Sequence, residues 1–147
     1  MSYDNVEILY AEDSMDDATL AIRAFKKYGL ADKLHHVKDG AEALDYIYCK
    51  GQYTGRSKCT HPKVIILDQK MPKMTGMEVL EKIKSDPNLS NIPVVILTSS
   101  KEDPDIKKCY DLGANSYIVK PVEIENFFAA IKDLGLYWVI RNQPTEY

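Results

Sequence analysis

Apolar positions along this chain follow two alternating rhythms. Short, nearly continuous runs occur at Val6, Ile8, Leu9, Tyr10 and Ala11, more weakly over Leu34–Val37, at Val64, Ile65, Ile66 and Leu67, at Val94, Val95, Ile96 and Leu97, and at Tyr117, Ile118 and Val119. Runs of this kind, rich in β-branched residues, read as strands buried on both faces, as in the middle of a parallel sheet. Between them the apolar residues fall three or four apart: Ala18, Ala21, Ile22 and Phe25; Leu44 and Ile47; Val79, Leu80 and Ile83; then Ile124, Phe127, Phe128, Ile131 and Leu134. That spacing predicts amphipathic helices packed on the sheet. Helix starts are marked by Ser14 with Asp17, Asp39 with Glu42, Thr75 with Glu78, and Asp103 before Pro104; Gly29, Asp86-Pro87-Asn88 and Leu112-Gly113 mark ends.

Five strand-helix pairs in strict alternation predict an α/β, doubly wound, five-stranded parallel sheet with five covering helices. Periodicity lapses over 50–63, where Gly51, Gly55, Ser57, Thr60 and Pro62 predict a loop of more than average length. Gly76 is expected at a turn where a Cβ does not fit.

A length of 147 residues with 45% hydrophobic content suits one domain with a substantial core. We expect a single domain over 1–147, with its core over about 6–134, a tail over 135–147 and no output domain. The net charge of -3, from 19 basic and 22 acidic residues, shows no electropositive excess, so nucleic acid is not an expected partner. No apolar run reaches bilayer length, and Met1-Ser2-Tyr3-Asp4-Asn5 lacks the basic start and apolar core of a signal peptide, so no membrane association and a cytoplasmic location are expected. Cys49, Cys59 and Cys109 suggest no paired framework, which fits a reducing compartment. Cys49, Cys59 and His61 match no zinc spacing, and adjacent His35 and His36 should point to opposite sides of their strand.

The chemistry lies at the strand ends. Glu12 and Asp13 follow the first strand, Asp68 the third, Thr98 the fourth and Lys120 the fifth. In a parallel sheet these residues share one edge, the edge where open α/β folds place their ligands. Three carboxylates gathered there repel one another unless protons or a cation offset them, and an oxygen-only donor set suits a hard ion such as Mg²⁺. Asp68 can serve as a nucleophile in phosphoryl transfer, with Lys120 and the Thr98 hydroxyl contacting phosphoryl oxygens. Singly, each residue reads as an ordinary cap, strand end or solvated charge; their coincidence at four strand ends carries the reading.

These residues, together with Met71-Pro72 and Gly76 after Asp68, Ser99 beside Thr98, and Tyr117 three residues before Lys120-Pro121, resemble a receiver domain of the two-component response regulators. The resemblance covers about 6–134. It implies the flavodoxin-like strand order 2-1-3-4-5 and Asp68 as phosphoacceptor from a histidine kinase. It also implies Mg²⁺ held by Asp13, Asp68 and the Lys70 backbone carbonyl, with Glu12 nearby through water. Thr98 and Lys120 are implied to sense the phosphoryl group, Tyr117 to turn inward, and the peptide before Pro121 to be cis. Lys70 and Ser100 flank the site as positions that tune hydrolysis. The 50–63 loop and the apolar tail residues Leu136, Tyr137, Trp138, Val139 and Ile140 are similar to small stand-alone regulators paired with phytochrome kinases, and the tail suggests a homodimer through the last helix. The resemblance implies a signalling protein rather than an enzyme. Two alternatives remain open: a phosphohydrolase of the haloacid dehalogenase type, in which the acid expected two residues after the nucleophile is here Lys70, and a receiver-like module that binds partners without phosphorylation.

Overall fold

Each of the five apolar runs forms a strand: β1 (Ile8–Ala11), β2 (Leu34–Val37), β3 (Val64–Asp68), β4 (Val94–Thr98) and β5 (Ser116–Val119). They make one parallel sheet in the order β2-β1-β3-β4-β5, as expected. The computed structural model describes residues 6–56, 61–99, 103–120 and 123–133, and within these it leaves the side chains of 103–105, 124 and 131–133 undescribed. The expectations for Cys59, Ser100, Pro121 and the tail therefore lie outside the described residues.

Five helices connect and follow the strands: α1 (Met15–Lys27), α2 (Gly40–Tyr48), α3 (Gly76–Ser85), α4 (Asp103–Asp111) and α5 (Ile124–Asp133). Three begin where the capping residues predict. The side chains of Ser14, Asp39 and Thr75 accept hydrogen bonds from the backbone N–H groups of Asp17, Glu42 and Glu78. Only Thr75 and Glu78 complete the reciprocal box, through the Thr75 N–H to Glu78 Oε1 bond of 2.9 Å. Gly29 lies at φ 74 just past α1, the left-handed conformation that ends a helix at little cost for glycine.

Side-chain alternation along the strands builds two cores. Leu9, Ala11, Ile65, Leu67, Val94 and Ile96 pack beneath α2, α3 and α4. Ile8, Tyr10, Val64, Ile66, Val95, Leu97 and Ile118 pack beneath α1 and α5, where Phe25 meets Phe127 edge-on at 4.7 Å. Among the described residues, no helix is long and apolar enough to cross a membrane.

The long connection expected over 50–63 is packed at its start rather than solvated. Gly51–Tyr53 form a 3₁₀ turn, and Tyr53 is buried. Its hydroxyl accepts from His35 Nε2 at 2.8 Å and donates to Glu42 Oε2 at 2.6 Å. The Tyr46 ring stacks on His35 at 4.8 Å, and the Arg56 guanidinium lies 3.9 Å above Tyr46. A packed aromatic box thus fixes this stretch, a contact across sequence that local periodicity does not reveal. Burial lowers the His35 pKa from 6.5, with His36 and Arg56 acting in the same direction and Glu42 opposing them. Because the folded pKa is depressed, the unfolded chain takes up the proton first. This contribution to stability is present above about 6.5 and declines as pH falls toward the folded pKa. The imidazole carbon-bound protons of His35 should titrate below 6.5 in an NMR pH series; titration above that value would contradict the box.

The cysteine expectation also needs correction: Cys49 is disulfide-bonded, whereas Cys109 is a buried free thiol. Spacing along the chain does not report the Cα separation that decides whether a bridge can form.

Candidate functional site

The carboxyl ends of β1, β3 and β5 bring Glu12, Asp68 and Lys120 together, for a reason rooted in side-chain parity. Tyr10 pairs with Ile66, and Leu97 with both Asp68 and Ile118. Tyr10, Ile66, Leu97 and Ile118 all face α1 and α5. Two residues past Tyr10, Ile66 and Ile118 stand Glu12, Asp68 and Lys120, so alternation places them on that same side. Thr98 follows Leu97 by one residue and falls on the opposite side.

Lys120 Nζ lies 3.1 Å from Glu12 Oε1, 3.2 Å from Asp68 Oδ2 and 2.7 Å from Asp17 Oδ2. Glu12 is wholly buried and also accepts from the Tyr10 hydroxyl and the Ser14 N–H, each at 3.3 Å. Burial pushes the Glu12 pKa up to about 8; its hydrogen bond to Asp68 and that group's charge act in the same direction, while Lys120 opposes them. Burial alone would lower the Lys120 pKa, but its bonds to Asp17 and Glu12 and the nearby Asp68 charge hold the ammonium above its ordinary range. The Tyr10 phenol is held far above its usual pKa by burial and then by Glu12. The Lys120 ammonium thus supplies, within the fold, part of the positive charge that the gathered acids require.

Asp13 is exposed at the mouth of this cluster. Glu12, Asp13 and Asp68 each present a carboxylate oxygen, and these atoms all lie within 4.8 Å of one another. With no nitrogen or sulfur donor among them, the set fits a hard divalent cation. The Lys70 N–H points at Asp68 Oδ1 from 3.5 Å, the long limit of a hydrogen bond. Gly76 sits as expected against the backbone of the site: a Cβ there would fall 2.3 Å from the Asp68 carbonyl oxygen.

Thr98 is buried, and its hydroxyl donates to Gln69 Oε1 at 2.7 Å, on the side its parity requires. Tyr117 is half-buried and meets Tyr110 edge-on at 5.9 Å. The structure thus brings Glu12, Asp13, Asp68 and Lys120 into one cluster and leaves Thr98 and Tyr117 beside it.

Sequence reasoning missed three participants. In sequence Asp17 has the place of a helix-start acid, yet the Ser14 N–H goes to Glu12 and the Asp17 carboxylate turns to Lys120. His36 donates from Nε2 to the Glu12 carbonyl at 2.8 Å and fixes the backbone that carries the acids. Gln69 is the third. Its parity with Thr98 was available from the strand register alone.

A family model described as "Response regulator receiver domain" matches residues 8–132. The response regulator Rcp1 of Synechocystis sp. is 33% identical over 90% of this chain and 88% of its own length. The crystal structure of Rcp1 in its Mn²⁺-bound form superposes with a TM-score of 0.72 at 32% identity, covering 94% of this chain and 98% of that one. The bacteriophytochrome response regulator RtBRR gives a TM-score of 0.83 at 46% identity over 94% of this chain and 82% of its own. The phosphorylated cyanobacterial phytochrome response regulator RcpA gives 0.73 at 34% identity, covering 95% and 99% respectively.

Proposed function

The chain belongs to the response regulator receiver domain family, and from that membership we propose that Asp68 accepts a phosphoryl group from a sensor histidine kinase of the phytochrome type. The observation that carries the residue assignment is the convergence of three carboxylates within 4.8 Å, with Lys120 Nζ 3.2 Å from Asp68. One Asp68 oxygen attacks phosphorus as the donor's bond to it breaks, leaving an acyl phosphate. Lys120, anchored by Asp17 and Glu12, stands where it neutralises charge on the incoming group. Asp13, Asp68 and the Lys70 carbonyl are the proposed ligands of Mg²⁺, with Glu12 contributing through water. Bound there, the ion would offset the repulsion between the carboxylates and an anionic donor. The Mn²⁺-bound state of Rcp1 and the phosphorylated state of RcpA support this reading by relationship.

The phosphoryl group adds charge and acceptor oxygens at Asp68. New bonds to Thr98 and Lys120 then favour a second arrangement of the segment after β4 and of Tyr117, changing the surface that partners meet. We assign the chain as one receiver domain that switches partner binding in the cytoplasm. Incubation with acetyl phosphate tests the assignment: one label per chain is the expected end point. Repeated turnover of a phosphate ester would favour a phosphohydrolase, and no labelling would favour a phosphorylation-independent binding module.

We further propose a homodimer through the last helix and tail, because the apolar residues at 136–140 suit an interface. Light scattering should give a mass of two chains in at least one phosphorylation state. One-chain mass in both states would overturn the dimer.

A further inference from the structure

The Thr98 hydroxyl has one proton to donate, and in this structure it is already committed. It goes to Gln69 Oε1 at 2.7 Å, the usual length of a well-formed O–H···O bond. Gln69 is not placed there by chance. Its N–H donates to the Leu97 carbonyl at 2.8 Å, and its own carbonyl accepts from the Gly76 N–H at 3.1 Å. The first bond continues the β3-β4 ladder one residue beyond Asp68 and sets Gln69 opposite Thr98, with both side chains on the same side of the sheet, and the second ties Gln69 to the first residue of α3.

A phosphoryl group on Asp68 would offer acceptor oxygens nearby. A single O–H makes one well-aligned bond at a time, so Thr98 can serve the amide or the phosphoryl group but not both. We propose that Gln69 is a positioning residue that retains the Thr98 hydroxyl in the unphosphorylated arrangement, so that a phosphoryl group must win it away before the segment after β4 can switch. This inference rests on the reading of Asp68 as the phosphoacceptor. It makes Gln69 a setting of the switch threshold rather than a member of the reacting set.

The exchange predicts a measurable bias. A net neutral hydrogen bond of ordinary strength corresponds to roughly a three- to tenfold change in an equilibrium constant. The full chain, saturated with Mg²⁺, is titrated with beryllofluoride as a phosphoryl mimic while backbone amide shifts are followed by NMR. Gln69→Met keeps the side-chain volume and loses the amide; it should bind beryllofluoride about three- to tenfold more tightly than the parent. Gln69→Asn, one methylene too short to reach Thr98, should gain similarly and serves where the Met variant does not fold. In a Thr98→Val background the same substitutions should leave affinity unchanged, a loss of coupling that a merely structural role of Gln69 would not produce. Equal or weaker binding by the Gln69 variants, or a gain that persists without the Thr98 hydroxyl, would overturn the inference while leaving Asp68 in its role. No binding by the parent chain would overturn the phosphoacceptor reading and this inference with it.

Discussion

Replacing Asp68 with Asn should reduce labelling by acetyl phosphate from one phosphoryl group per chain to background. An amide nitrogen is not a nucleophile for phosphoryl transfer, and Asn supplies no carboxylate to the cation, so both requirements fail together. The fold should survive the change. Lys120 retains Asp17 at 2.7 Å and Glu12 at 3.1 Å, so the ammonium is not left unpaired. The substitution also relieves crowding, because the hydrogen bond and charge of Asp68 both help raise the Glu12 pKa. Thermal unfolding at or above the parent's midpoint, with labelling lost, is therefore the expected pairing. Full labelling of the Asp68→Asn chain would place the phosphoacceptor elsewhere.

Gly76→Ala should destabilise the chain through the site's own backbone. The added methyl would meet the Asp68 carbonyl oxygen at 2.3 Å and the Gln69 Cα at 3.1 Å, and neither is the movable end of a flexible side chain. The β3-α3 connection must shift, at an overpacking cost of about 1–3 kcal/mol. For a chain of this size each kcal/mol lowers the melting temperature by roughly 2–4 °C. The displacement also bears on Asp68, the proposed phosphoacceptor, so labelling should slow along with the loss of stability. Gly55→Ala is the matched control, since nothing lies within 4 Å of a Cβ built there. An unchanged melting temperature for Gly76→Ala would contradict the close approach.

Most of the architecture was legible because the two hydrophobic periods never overlap. Runs such as 64–67 and 94–97 are too short for helices and too continuous for half-exposed strands, which leaves only a buried parallel sheet. The same regularity placed Glu12, Asp68 and Lys120 at one edge. It carried further information on which acids face which side, since Asp68 and Thr98 sit at opposite parity relative to the sheet. The Thr98 to Gln69 bond follows directly from that register.

Other features depended on contacts between residues distant in sequence. Asp17 has the spacing of a capping-box partner, but Glu12 takes the Ser14 N–H, and the freed carboxylate meets a lysine more than a hundred residues away. Tyr53 stands in a glycine-rich segment with no period, yet it is buried because His35, Tyr46 and Glu42 provide ring and hydrogen-bond partners together. Gly40 resembles an unremarkable first helical residue; its lack of a Cβ matters only because the Met74 carbonyl oxygen would lie 2.2 Å from one. Local pattern reports which face a residue presents, and it is silent on what another part of the chain brings to that face.

The most direct test is to label the intact chain with acetyl phosphate in millimolar magnesium, reduce the acyl phosphate with borohydride, and map the modified residue by peptide mass. The cluster of Glu12, Asp13, Asp68 and Lys120 predicts modification at position 68 alone, abolished when the divalent cation is chelated. Modification at any other residue, or labelling at position 68 that persists undiminished in chelator, would contradict it.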